Sequence, residues 1–158
     1  MKKFLKFILN ILLFIWQLPQ NLAGLIVWCY LKITGHKLVY KEYNGEKYIL
    51  SNINWGVSLA SFIFLYSYTS SWTVRHEIGH RKQSKILGPL YLLLIGIPSA
   101  IGNIYDRIAH KKWTHTQRSL WYYEKQPWER WANKLSNIIF LENGWNIRNS
   151  TNTQKYKN

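Results

Sequence analysis

Acidic residues are what this 158-residue chain has least of. Six Glu and one Asp stand against 21 Lys and Arg, for a formal net charge of +14. A calcium or magnesium cage needs several clustered carboxylates, and the chain has few to supply. Cys29 is the only cysteine, which excludes a disulfide framework. Low hydrophobicity is not among the deficits: 47% of residues are hydrophobic and 16% aromatic, enough for a packed core and against a disordered chain. No internal repeat is present. The basic excess leaves two partner classes open, nucleic acid and an anionic membrane surface. Nine Trp and eleven Tyr favour the membrane interface, where amphipathic rings collect.

Residues 1–33 form a basic start followed by a nearly unbroken apolar run. Four readings compete for it. A signal peptide fits the start but finds no small-x-small cleavage site. A single spanning helix, kinked at Pro19, fits the total length. A re-entrant or interfacial pair fits the interruption at 17–21, because 4–16 alone is too short to span. A buried helical pair in a soluble core is the fourth. Lysines flank both ends, so charge assigns no orientation.

Residues 34–142 read as an α+β domain. Runs at 37–43 and 46–50 flank Asn44-Gly45, the strongest short hairpin signal. Residues 55–66 are β-branched and aromatic and predict a third strand of a small antiparallel sheet, with a buried helix as the alternative. Ser70, Ser71 and Thr73 offer N-caps for a helix over 72–87, which Gly88-Pro89 stops. Residues 87–105 are apolar but punctuated by Gly and Pro, which predicts a helix and loop in the core or dipped into the interface. Residues 106–118 predict a basic surface loop and 119–141 a second helical zone broken at Pro127. The tail, 143–158, is polar and expected to be loose.

The chemistry-bearing motif is His76-Glu-Ile-Gly-His80. Residues i and i+4 of a helix share a face, so both imidazoles can meet one zinc ion. Glu77 can then reach the metal-activated water as general base. A catalytic zinc needs a third protein ligand and an open position. The candidates are His110, His115, Glu124 and Glu129. Asn133 lies at i+4 from Glu129 and can accept the free ring N–H of a ligand histidine. Ala132 is small enough to let the two helices approach.

Further blocks follow the motif: Gln83-Ser84, Leu87-Gly-Pro-Leu-Tyr-Leu92, Gly96-Ile-Pro-Ser99, and Tyr122-Tyr123 leading to Pro127-Trp-Glu129-Arg-Trp-Ala-Asn133. With Trp16-Gln-Leu-Pro-Gln20, they resemble a family of small, membrane-attached bacterial proteins with a zincin-like metallopeptidase core. A related block occurs in some bacterial repeat-associated toxin domains. The pattern HExxH followed by Glu-x-x-Ala-Asn is similar to the gluzincins, and this resemblance implies Glu129 as third zinc ligand. Two departures stand out. Trp128 separates Pro127 from Glu129, and Asn133 replaces the usual Asp. The resemblance implies zinc as cofactor, a peptide or protein substrate, and a substrate strand pairing with the sheet edge at 55–66. His110, His115, Tyr122 and Tyr123 are the candidate stabilisers of the tetrahedral intermediate. The competing reading is a non-enzymatic cationic protein that binds an anionic membrane or envelope polymer and carries a vestigial metal site. Nucleic-acid binding ranks last, because no nucleic-acid-binding signature accompanies the charge.

Overall fold

The computed structural model describes residues 2–141, 144–148 and 153–155, with side chains for 3–114 and 116–138. The chain opens with helices α1 (Lys2–Trp16) and α2 (Leu18–Ile33), which meet at a bend of 83°. Strands β1 (Val39–Tyr43), β2 (Glu46–Ser51), β3 (Val57–Leu59) and β4 (Phe62–Tyr66) follow. Helix α3 (Ser71–Leu87) carries the HExxH motif. A 3-10 turn (Gly88–Leu90) and a wide π turn (Leu92–Gly96) lead into α4 (Ile97–Ala109). Helix α5 (His115–Ser119), a second π turn (Leu120–Lys125) and α6 (Pro127–Leu135) complete the helical part. Strands β5 (Ile138–Leu141), β6 (Gly144–Arg148) and β7 (Thr153–Lys155) form a separate three-stranded antiparallel sheet.

The main sheet is mixed, in order β1-β2-β4-β3. The hairpin forms at Asn44 (φ 49°) and Gly45 (φ 80°), the two positive-φ positions that such a turn requires. The expected all-antiparallel sheet is corrected, because β2 pairs with β4 in parallel. So is the single third strand. Residues 55–66 fold back on themselves at Ala60-Ser61, giving the antiparallel pair β3–β4. Ala60 sits at φ 53°, a costly backbone region for a residue with a Cβ. Arg81 holds it there. Its guanidinium donates to the carbonyls of Ala60, Ser61 and Lys47 and to the Glu46 carboxylate. Arg81 is thus a buried clasp.

Strand β4 is apolar on both faces because both are covered. Phe64 packs with Leu31, Ile49 and Ile53 on the α2 side. Ile63 and Leu65 pack with Val74 and Ile78 on the α3 side. The sheet therefore lies between α2 and α3, and α6 packs behind α3. That last contact is unusually close. A Cβ at Gly79 would collide with the Ala132 carbonyl oxygen.

Three further expectations are corrected. Helix α4 runs through Asp106 to Ala109, and Thr114 and Gln117 close a capping box on α5, so the surface loop shrinks to 110–114. Asp106 organises that turn by pairing with both His110 and Arg118. The second helical zone ends at Leu135, where Asn137 (φ 55°) turns the chain into β5. The tail is not uniformly loose, since 144–148 and 153–155 are paired strands. Its other residues, 143, 149–152 and 156–158, lie outside the described residues.

Candidate metal centre

Ser70 caps α3 by accepting the Thr73 amide, which starts the helix early enough to put 76–80 in its middle. One helical turn then stacks the two histidines. Their Nε2 atoms lie 3.1 Å apart. Glu129 enters from the first turn of α6, where the helix dipole favours a carboxylate. Its Oε2 lies 2.9 Å from Nε2 of His76 and 3.1 Å from Nε2 of His80. Burial is nearly complete: 3% exposed for His76, 5% for His80, 0% for Glu129.

The outer ring nitrogens are fixed by amides. Asn133 Oδ1 accepts from Nδ1 of His76 at 2.7 Å, while its Nδ2 donates to the Tyr123 carbonyl. Gln83 Oε1 accepts from Nδ1 of His80 at 2.7 Å, while its Nε2 donates to the Trp128 carbonyl. Each amide is oriented by its NH2 group, so each oxygen must face the ring. Both Nδ1 atoms therefore carry the hydrogen, and both Nε2 atoms turn a lone pair inward. Two lone pairs and a buried carboxylate converging on one point require a positive charge there. A tetrahedral ion with bonds of about 2.0–2.1 Å spaces its ligand atoms about 3.3 Å apart, close to the observed triangle. Glu129 Oε1 is buried and has no hydrogen-bond partner among the described residues. His76, His80 and Glu129 are thus positioned to hold a metal ion.

Without metal, a proton takes that role. Burial disfavours a charged His80, but the adjacent Glu129 carboxylate overrides it and raises its pKa to about 9. Burial likewise opposes the charge on Glu129, yet His80 and His76 hold its pKa well below the usual range. Glu77 is 8% exposed, and burial raises its pKa against the pull of both histidines. A Cβ at Gly56, just before β3, would lie 3.4 Å from Glu77 Oε1. The glycine thus lets the start of the edge strand run past the carboxylate. Within 55–66 the sheet edge is β3, since β4 is interior.

The other candidates scatter. The Tyr123 ring stands edge-on to His76 at 4.9 Å, with Trp72 against both. Tyr122 bonds Ser99 of α4 through its hydroxyl. Burial raises the pKa of both phenols, so both stay protonated as potential donors. His110 pairs with Asp106 and stacks on Trp113 at 3.7 Å. Glu124 meets Asn133 rather than the histidines. The side chain of His115 lies outside the described residues. Sequence reasoning gave Gln83 no defined partner, although its i+3 offset from His80 placed it on the ligand face. It also missed Gly79, whose bare Cα permits the α3–α6 contact, and Tyr91. Burial raises the Tyr91 pKa first, then the charges of Glu77 and Glu129, and its hydroxyl donates to the Ser58 carbonyl of β3. Compared with known proteins, the chain matches no family model, no curated protein and no solved structure.

Proposed function

We propose that the protein is a zinc-dependent metallopeptidase of zincin-like type. One observation carries this reading: two Nε2 lone pairs and one carboxylate oxygen converge at 2.9–3.1 Å, with both histidine tautomers fixed from behind. Two neutral imidazoles and one carboxylate suit zinc and leave a fourth position for water and substrate. Bound there, zinc would supply Lewis acidity and a water acidic enough to attack at neutral pH.

The chain's own residues supply the rest. Glu77 takes the proton of the attacking water and passes it to the leaving amine. Its raised pKa suits a group that must hold that proton briefly. The peptide carbonyl needs a donor as charge develops, and Tyr123 stands nearest among the candidate phenols, in contact with His76. A substrate strand would pair with the outer edge of β3, which passes Glu77 at Gly56.

The test is Glu77→Gln. It should retain about one zinc per chain and lose hydrolysis of a denatured protein substrate by about 10²–10⁴-fold. Hydrolysis that persists in this variant sinks the mechanism. The near-complete burial of the ligands favours a second reading, in which the metal is vestigial and the protein acts by binding membranes. That reading expects zinc in both wild type and Glu77→Gln, with hydrolysis in neither.

A further inference from the structure

Helix α1 exposes Phe4, Leu5, Phe7, Ile8, Leu9, Ile11, Leu12, Phe14 and Ile15, which span more than half of its circumference, while Lys3, Lys6 and Asn10 share the remaining face. A broad apolar face beside a lysine-bearing polar face is the pattern of a helix that lies in the plane of a membrane interface. A second apolar face lies far away in sequence. Ile97, Ile101, Ile104 and Ile108 recur every three or four residues along α4, each at least 52% exposed. The opposite face of α4 carries Ser99, Gly102 and Asp106, the last two buried, so this amphipathic helix turns its apolar side outward. Leu90, Leu93 and Leu94 extend the face towards α3.

The end of α1 reaches the start of the 88–108 segment at the bend between α1 and α2. Trp16 packs on Gly88 and donates to the Lys85 carbonyl. Gln20 donates to the Gly88 carbonyl, and Gln17 and Gln20 both reach Ser84 Oγ. Asn21 bonds the Phe14 carbonyl and accepts the Ser61 amide. The 83° bend is therefore held by buried polar contacts with the zinc-site helix. At 15 and 16 residues, the two helices are about 22 and 24 Å long, short of the roughly 30 Å hydrocarbon core. The locked bend prevents them from joining into one span.

Charge identifies the occupant. Residues 1–41 contain six lysines and no acid. Arg107, Lys111 and Lys112 follow the α4 stripe, and the nearby Asp106 is buried against Arg118 and His110. We infer that α1 and the outer face of residues 90–108 form one surface that seats the protein in a single leaflet of an anionic bilayer, without spanning it.

Full-length protein is added to sealed vesicles of phosphatidylcholine, with and without phosphatidylglycerol, and partition is read by flotation. Expected is at least tenfold tighter partition on the anionic vesicles, an advantage that shrinks as salt rises. The pair Ile101→Lys and Ile104→Lys should cut partition at least tenfold, as should Phe7→Lys with Ile11→Lys, with circular dichroism unchanged. In a Cys29→Ser background, Lys3→Cys and Lys37→Cys should both react with an impermeant maleimide on intact vesicles. Labelling of Lys3→Cys only after lysis means a span and overturns the inference. Unchanged partition of the Ile101/Ile104 pair makes α1 a lone anchor and overturns it as well. So does a stable dimer, broken by that pair, with no vesicle binding, since a second copy would then cover the face. None of these readouts depends on metal or hydrolysis, so the inference and the peptidase reading fail separately.

Discussion

Asn133 sits where an aspartate is expected, and its contacts give the reason. Its Oδ1 faces His76 while its Nδ2 donates to the Tyr123 carbonyl at 3.1 Å. An Asp would turn a bare oxygen towards that carbonyl. Asn133→Asp should therefore destabilise the protein by about 1–3 kcal/mol, readable as a lower urea midpoint, despite the greater basicity it lends His76. Gln83→Ala should loosen zinc about 10–100-fold in a chelator competition, because His80 loses the acceptor that fixes its tautomer. The His80 proton makes metal binding pH-dependent. Its pKa in the folded, metal-free protein is raised from 6.5 to about 9. The resulting stabilisation of the metal-free form is full below about pH 6.5 and is lost as the pH rises through about 9. Zinc must displace this proton, so its affinity should rise about tenfold per unit between about pH 6.5 and 9. A flat profile across that window would remove His80 from the ligand set.

Among the elements, the contact of α3 with α6 decides whether Glu129 reaches the histidines. In an exposed helix, Gly→Ala gains about 1 kcal/mol. At Gly79 the new Cβ would meet the Ala132 backbone, which cannot yield as a side-chain tip can. Overpacking of this kind costs about 1–3 kcal/mol or more. Gly79→Ala should therefore lower the melting temperature and release zinc together; a stabilised, zinc-replete variant would contradict the packing. The bend between α1 and α2 is the second junction. Ser84→Ala removes the acceptor for the buried Gln17 and Gln20 amides and should cost about 1–3 kcal/mol in denaturant unfolding.

For the molecule as a whole, a metal held by His76, His80 and Glu129 would join two helices that approach from different parts of the chain. Zinc at a free concentration 100 times its dissociation constant would add about 2.7 kcal/mol. Chelation should then lower the melting temperature by about 5–10 °C for a chain of this size. The apolar surface is also a whole-molecule property. No single described helix is long and apolar enough to cross a membrane, and the surface exists because the bend at Gln17 brings α1 to the start of the 90–108 face.

Local signals determined much of this protein. The hairpin at Asn44-Gly45, the limits of α3 and the shared face of His76 and His80 follow from backbone sterics, capping and helical periodicity, which act over a few residues. Asn133 was legible as a histidine partner by its i+4 offset from Glu129. What the sequence left open needed distance information. Four candidates stood for the third ligand on spacing alone, and only the packing of α6 on Gly79 brings Glu129 to the histidines. The strand reading of 55–66 missed a reversal at Ala60, because a left-handed alanine is held by Arg81 from another element. Parallel pairing of β2 with β4, and an apolar α4 face turned outward, depend on which neighbours cover each side. Burial is decided by the partners that tertiary packing supplies, and periodicity in one segment does not name them.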